Sequence, residues 1–171
     1  MRAVEFLSRT RAVTLSPFVL PMATRILIAD DHEMMRAALR DLINSHADWQ
    51  ICAEANNGRE AVEQAKQLQP DLIVLDLAMP VMDGMAAARE ITRNRPEARV
   101  ILFTLHGTKE VEEHAKQAGV RRVVSKVKDG GRLVMAMEEV LREPQTHVAD
   151  PRGPQDGASA AGPSVRTQAP K

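Results

Sequence analysis

The chemistry open to this sequence rests on the carboxylates of Asp30, Asp31 and Asp76, the hydroxyl of Thr104 and the amine of Lys126. Each stands at or just past the end of a short apolar run. Carboxylates brought close together resist common ionisation. A hard divalent cation relieves that repulsion, and Mg2+ takes a few carboxylates while keeping waters and phosphate oxygens. Lysine adds a compact positive charge for phosphate, and threonine adds one hydroxyl donor. The set suits an aspartyl carboxylate that attacks a phosphoryl group. Each residue also has a plain reading. Asp30-Asp31 could cap a helix, Asp76 could end a turn, Thr104 could be a β-former, and Lys126 could face solvent. Their joint position at strand ends favours the chemistry.

The positioning elements follow from hydrophobic periodicity. Short apolar runs at Ile26–Ala29, Leu72–Leu75 and Val100–Phe103 read as strands, as do the segments Trp49–Ala53 and Val120–Val124. Helical patterns follow each run. Met35, Ala38, Leu39, Leu42 and His46 recur at steps of three and four. The spacing predicts further helices at Gly58–Leu68, Gly84–Asn94 (closed by Pro96), Lys109–Ala118 (stopped by Gly119) and Gly131–Glu143. Strands this apolar are expected to be buried on both faces. Such alternation implies an α/β fold with a parallel sheet and helices on both sides. Crossovers are right-handed, so covering both faces requires the strand order to reverse. Ligands bind at that reversal, beyond the carboxyl ends of the strands.

Composition narrows the function. The 171-residue chain carries 23 basic and 23 acidic residues, so net charge gives no sign of a nucleic-acid binder. Its one cysteine, Cys52, excludes an intrachain disulfide framework and a cysteine-built zinc cluster, and a cytoplasmic setting is expected. Three Phe, one Trp and no Tyr argue against aromatic platforms for single-stranded nucleic acid. No run approaches the roughly 18 apolar residues of a membrane span. Residues 1–23, with Pro17 and Pro21, read as a disordered extension, and Met22 could be the natural start. Residues 144–171, rich in Pro, Gly and Ala, cannot bury enough to offset ordering entropy and read as a disordered tail. The domain is expected at 24–143, with a slight acidic excess.

Ile28-Ala-Asp-Asp-His32, Leu75-Asp-Leu-Ala-Met-Pro-Val-Met-Asp-Gly84, Phe103-Thr-Leu-His106 and Ser125-Lys126 follow one another in the order and spacing of the receiver domain of two-component response regulators. The sequence from Arg25 to Glu143 resembles that family. The resemblance implies a flavodoxin-like, doubly wound (βα)5 sandwich with strand order 2-1-3-4-5. It implies that Asp76 accepts a phosphoryl group from a sensor histidine kinase or phosphotransfer protein. Asp30, Asp31, Asp76 and the backbone carbonyl of Ala78 would hold Mg2+, Asp30 mainly through water. Thr104 and Lys126 would contact the phosphoryl group. The step from Gly119 favours Lys126 over Lys128 for that role. The family's switch aromatic three residues before the lysine is replaced by Val123, which is stiff and has no ring to move.

The resulting expectation is a stand-alone response regulator that signals to a downstream protein or relays its phosphoryl group, without specific nucleic-acid or membrane binding. Two alternatives stand beside it. One is a receiver-fold binding module that is never phosphorylated. The other is an aspartate-based Mg2+ phosphatase, which usually needs a second Asp two residues after the nucleophile, where Ala78 stands. A dinucleotide enzyme is set aside, because no Gly-x-Gly-x-x-Gly follows the first strand.

Overall fold

The computed structural model describes residues 23–127 and 130–144. The expected extensions at 1–23 and 144–171 fall outside these residues, apart from Ala23 and Pro144, and so does Lys128. Strands and helices alternate: β1 (Thr24–Ala29), α1 (Glu33–Asn44), β2 (Trp49–Ala55), α2 (Gly58–Leu68), β3 (Leu72–Leu75), α3 (Gly84–Asn94), β4 (Val100–Thr104), α4 (Lys109–Gln117), β5 (Arg122–Ser125) and α5 (Gly130–Arg142). The strands form one parallel sheet in the order β2-β1-β3-β4-β5, as the resemblance implies.

Alternation along each strand divides the core. Ile26, Ile28, Leu72, Val74, Ile101 and Phe103 pack against Leu39 and Ile43 of α1 and Leu133, Met137 and Val140 of α5. Leu27, Ala29, Ile73, Leu75, Val100 and Leu102 pack against Ala61, Ala65, Ala87, Ile91 and Ala115 of α2, α3 and α4. Each fully buried Leu or Ile contributes about 1.5–3 kcal/mol of transfer free energy. Small side chains let α2 and α3 approach the sheet closely. Side-chain caps fix where helices begin: Asn57 accepts from the Glu60 amide, Asp83 from Ala86, and Thr108 from Val111. β1 lies between β2 and β3, so the strand order reverses there and a crevice opens beyond the carboxyl ends of β1 and β3.

Several local expectations change. Ala38 is exposed and His46 lies beyond α1, while Ile43 supplies the buried contact. The chain leaves the helix at Ser45, whose hydroxyl donates to the Leu42 carbonyl, and His46 instead stacks on Trp49 with ring centroids 4.3 Å apart. The last strand begins at Arg122 rather than Val120. The Val120 amide closes α4 by bonding the Ala115 carbonyl, and the Arg121 amide bonds Val100. β2 runs two residues further than expected. As edge strands, β2 and β5 are mostly half-buried rather than covered on both faces. Gly119 has φ +75°, with Thr92 against the place a Cβ would occupy, which accounts for the stop after α4.

Candidate functional site

Asp30 and Asp76 follow Ala29 and Leu75, which are paired partners in β1 and β3. The register therefore sets the two carboxylates side by side at the strand ends. The Asp76 amide donates to the Ala29 carbonyl at 2.8 Å, tying the second aspartate to the end of the first strand. Both are buried, at 1% exposure for Asp30 and 5% for Asp76. The Thr104 side chain is buried at the end of β4. Its Oγ1 accepts from the His106 amide at 3.2 Å, and its carbonyl accepts from the Lys126 amide at 2.8 Å.

Lys126 does not face solvent. Its side chain is 5% exposed, and Nζ lies 2.5 Å from Asp30 Oδ2 and 3.1 Å from Asp76 Oδ1. The ammonium therefore bridges the two buried carboxylates from the far side of the crevice, 5.8 Å from the Phe103 ring centroid. One buried cation between two buried anions leaves a net negative charge. Asp31 adds another carboxylate at the partly exposed mouth, with Oδ1 2.8 Å from His32 Nδ1. Ligand atoms of Asp30, Asp31 and His32 all lie within 4.8 Å of one another. Asp76 and the exposed Ala78 line a cleft of about 280 Å³ together with His32, Thr104, Leu105, His106 and Lys126.

The plain reading of Lys126 as a solvent-facing residue fails, while the carboxylates keep structural roles beside the chemical one. Asp30 Oδ1 accepts from the His32 amide at 2.9 Å, and Asp76 Oδ1 accepts from the Leu77 amide at 2.8 Å, so both carboxylates also shape their loops. No side chain caps α1. The loop after Asp76 is fixed by Gly84, whose amide donates to Leu77. A Cβ on Gly84 would lie 1.9 Å from the Asp76 carbonyl oxygen. That close approach explains why Gly closes the loop motif. Val81, at the loop's tip, holds φ +67°, a strained conformation for a β-branched residue.

Sequence reasoning assigned no role to the cleft-lining His32, His106, Met34 and Leu105. The two histidines lie inside the quoted motifs, beside Asp31 and two residues after Thr104, and that adjacency was the available signal. Arg36 was also missed: its Nη1 donates to the Asp30 carbonyl at 2.7 Å, a contact that no spacing announces. Val123 is half-buried on β5, facing Leu102 across the ladder and leaning toward Gly107.

A doubly wound parallel sheet brings buried carboxylates, a lysine and a threonine together at its strand ends, a set chemically suited to a phosphoryl group. Residues 26–138 match the family model described as the response regulator receiver domain. The chain is 38% identical over 121 residues to the chemotaxis protein CheY of Thermotoga maritima, covering 71% of this chain and 100% of that one. It is 37% identical over 120 residues to the chemotaxis protein CheY of Bacillus subtilis, covering 70% and 99%. Among solved structures, the CheX-CheY-BeF3-Mg2+ complex of Borrelia burgdorferi superposes with a TM-score of 0.68 at 25% identity, covering 71% of this chain and 92% of that one. The chain belongs to the response regulator receiver domain family, the phosphorylation-based signalling modules of two-component systems. Among the described residues, no helix is long and apolar enough to cross a membrane.

Proposed function

We propose that this chain is a phosphorylation switch in which Asp76 accepts a phosphoryl group from a sensor histidine kinase or phosphotransfer protein. The observation that carries this reading is the buried Asp76 carboxylate at the end of β3, 3.1 Å from Lys126 and beside Asp30. The donor set fits a hard cation. Asp30, Asp31, Asp76 and the Ala78 carbonyl offer oxygens, and the Lys126 ammonium neutralises their charge only in part. Bound Mg2+ would supply the positive charge that lets an anionic phosphoryl group approach these carboxylates.

The remaining work falls to the chain itself. A carboxylate oxygen of Asp76 bonds to phosphorus as the bond from phosphorus to the donor's nitrogen breaks, and the nitrogen keeps that electron pair. Lys126 balances the new negative charge from 3.1 Å away. The Thr104 hydroxyl, at the end of the neighbouring strand, can donate to a phosphoryl oxygen. Met34, in the first turn of α1, and Leu105, just after β4, are exposed large apolar residues that line this cleft. Such a rim suits a protein surface that delivers the phosphoryl group. The signal then passes to a downstream protein or onward along a relay, with no specific nucleic acid and no membrane as target. Ala78 has no proton to give a leaving group, so the phosphatase reading gains no support.

The test is binding of beryllofluoride with Mg2+, followed by backbone amide shifts. Large shifts at Asp76, Thr104 and Lys126 that reverse on chelation are expected. Unchanged spectra at saturating Mg2+ and fluoride would overturn the proposal.

A further inference from the structure

The β1–α1 loop that carries Asp31 and His32 is pinned at both ends by one side chain. Arg36 Nη1 donates to the Asp30 carbonyl at 2.7 Å, where the loop begins. Its Nη2 pairs with Glu33, the first residue of α1, where the loop ends. Nε lies 3.5 Å from Glu54 on β2, a charge contact with the neighbouring strand. The side chain is only 14% exposed. Arg40 provides an internal comparison. It pairs with the same two carboxylates, at 2.6 Å to Glu54 and 2.9 Å to Glu33, yet the structure gives it no bond to the loop backbone.

The geometry points to Arg36 as a positioning residue that holds the Asp30–Asp31 segment in its cation-binding geometry; the cation itself rests on the function proposed above. Asp31 is otherwise held by His32, which is exposed, so its carboxylate is only as well placed as the backbone beneath it. A planar fork presents donors to a carbonyl and carboxylates in one fixed geometry, whereas an ammonium is a compact charge on a flexible stem. Partners of this kind typically change metal affinity about 10–100-fold when removed.

Sign separates positioning from charge. Removing a cation near an anionic site strengthens divalent-cation binding if only Coulomb attraction matters. Losing the clamp weakens it. Because Arg40 retains both carboxylates, Arg36→Gln leaves the surrounding ion pairs largely in place. Two measurements on the full chain test the inference. Calorimetric titration with Mg2+ should show Arg36→Gln weakened about tenfold, Arg36→Lys weakened less, and Arg40→Gln unchanged or slightly tighter. Hydrogen exchange of the metal-free protein should show the His32 amide, which donates to Asp30 Oδ1, exchanging faster in Arg36→Gln and not in Arg40→Gln. Equal weakening in both variants, tighter binding in Arg36→Gln, or unchanged exchange at His32 would each overturn the inference. Failure of the wild-type chain to bind Mg2+ would overturn the cation reading instead, and the exchange comparison would still decide whether Arg36 clamps the loop.

Discussion

Replacing Lys126 by methionine keeps most of the side chain's length and removes the charge that joins Asp30 to Asp76. In the native protein the ammonium sits 2.5 Å from one carboxylate and 3.1 Å from the other, and all three groups are almost wholly buried. Lys126→Met leaves two buried anions with no cation between them. Breaking a buried ion pair by removing one partner costs about 3–5 kcal/mol. For a domain of this size that is a fall in Tm of roughly 10–20 °C. Excess Mg2+ should restore more stability to the variant than to wild type, because Asp30 is released from its ion pair and a cation that binds only the folded state stabilises it. Adding Asp30→Asn to Lys126→Met should recover part of the loss, since one uncompensated charge disappears, and this coupling is what a double-mutant cycle measures. The assay is thermal unfolding followed by circular dichroism, with and without Mg2+. A loss below about 1 kcal/mol, the value of an exposed pair, would refute the description of Lys126 as a buried bridge. Equal Mg2+ stabilisation of variant and wild type would refute the link between Lys126 and the cation site.

Gly84→Ala places a Cβ where the Asp76 carbonyl already lies, so the loop must move; a stability loss of about 1–3 kcal/mol or more is expected, together with slower phosphorylation of Asp76, and unchanged unfolding and phosphorylation rates would contradict this. Burial pushes the Cys52 thiol above its ordinary value. Between the ordinary and the raised value the folded state binds more protons than the unfolded one, so Cys52 makes stability fall as pH rises through that window; alkylation of native protein should be slower at neutral pH than that of a free cysteine peptide, and equal rates would oppose the assignment. Val123 has no ring to swing when Thr104 moves, so amide shifts across residues 109–124 on phosphorylation should be smaller than those near Asp76, and Val123→Tyr should enlarge them. Equal shifts in the native chain would show that the switch works without an aromatic.

The fold was legible because the strands are short, apolar and bounded. Leu72–Leu75 is buried along its whole length, and it is too short an apolar run to form a helix. Likewise α2 and α3 begin where Asn57 and Asp83 cap them and end where expected, because the capping chemistry is local. The misreadings arose where tertiary contacts decide. His46 continued the spacing of α1, but its ring finds Trp49 after the chain has turned. Val120 is as apolar as a strand residue, yet its amide is used to close α4. The candidate site residues were legible for the same reason as the strands: each stands where an apolar run stops. That Lys126 reaches Asp30 across the crevice depends on distances no spacing contains, as does the fork of Arg36 on the Asp30 carbonyl.

The central claim is that Asp76 forms an acyl phosphate. Intact-mass and peptide-level mass spectrometry of the chain, incubated with a small phosphodonor such as acetyl phosphate, tests it most directly. A gain of one phosphoryl group on the peptide containing Asp76, seen with Mg2+, lost on chelation and absent in Asp76→Asn, is the predicted result. The same gain in Asp76→Asn, or none in the wild-type chain at saturating Mg2+, would contradict it.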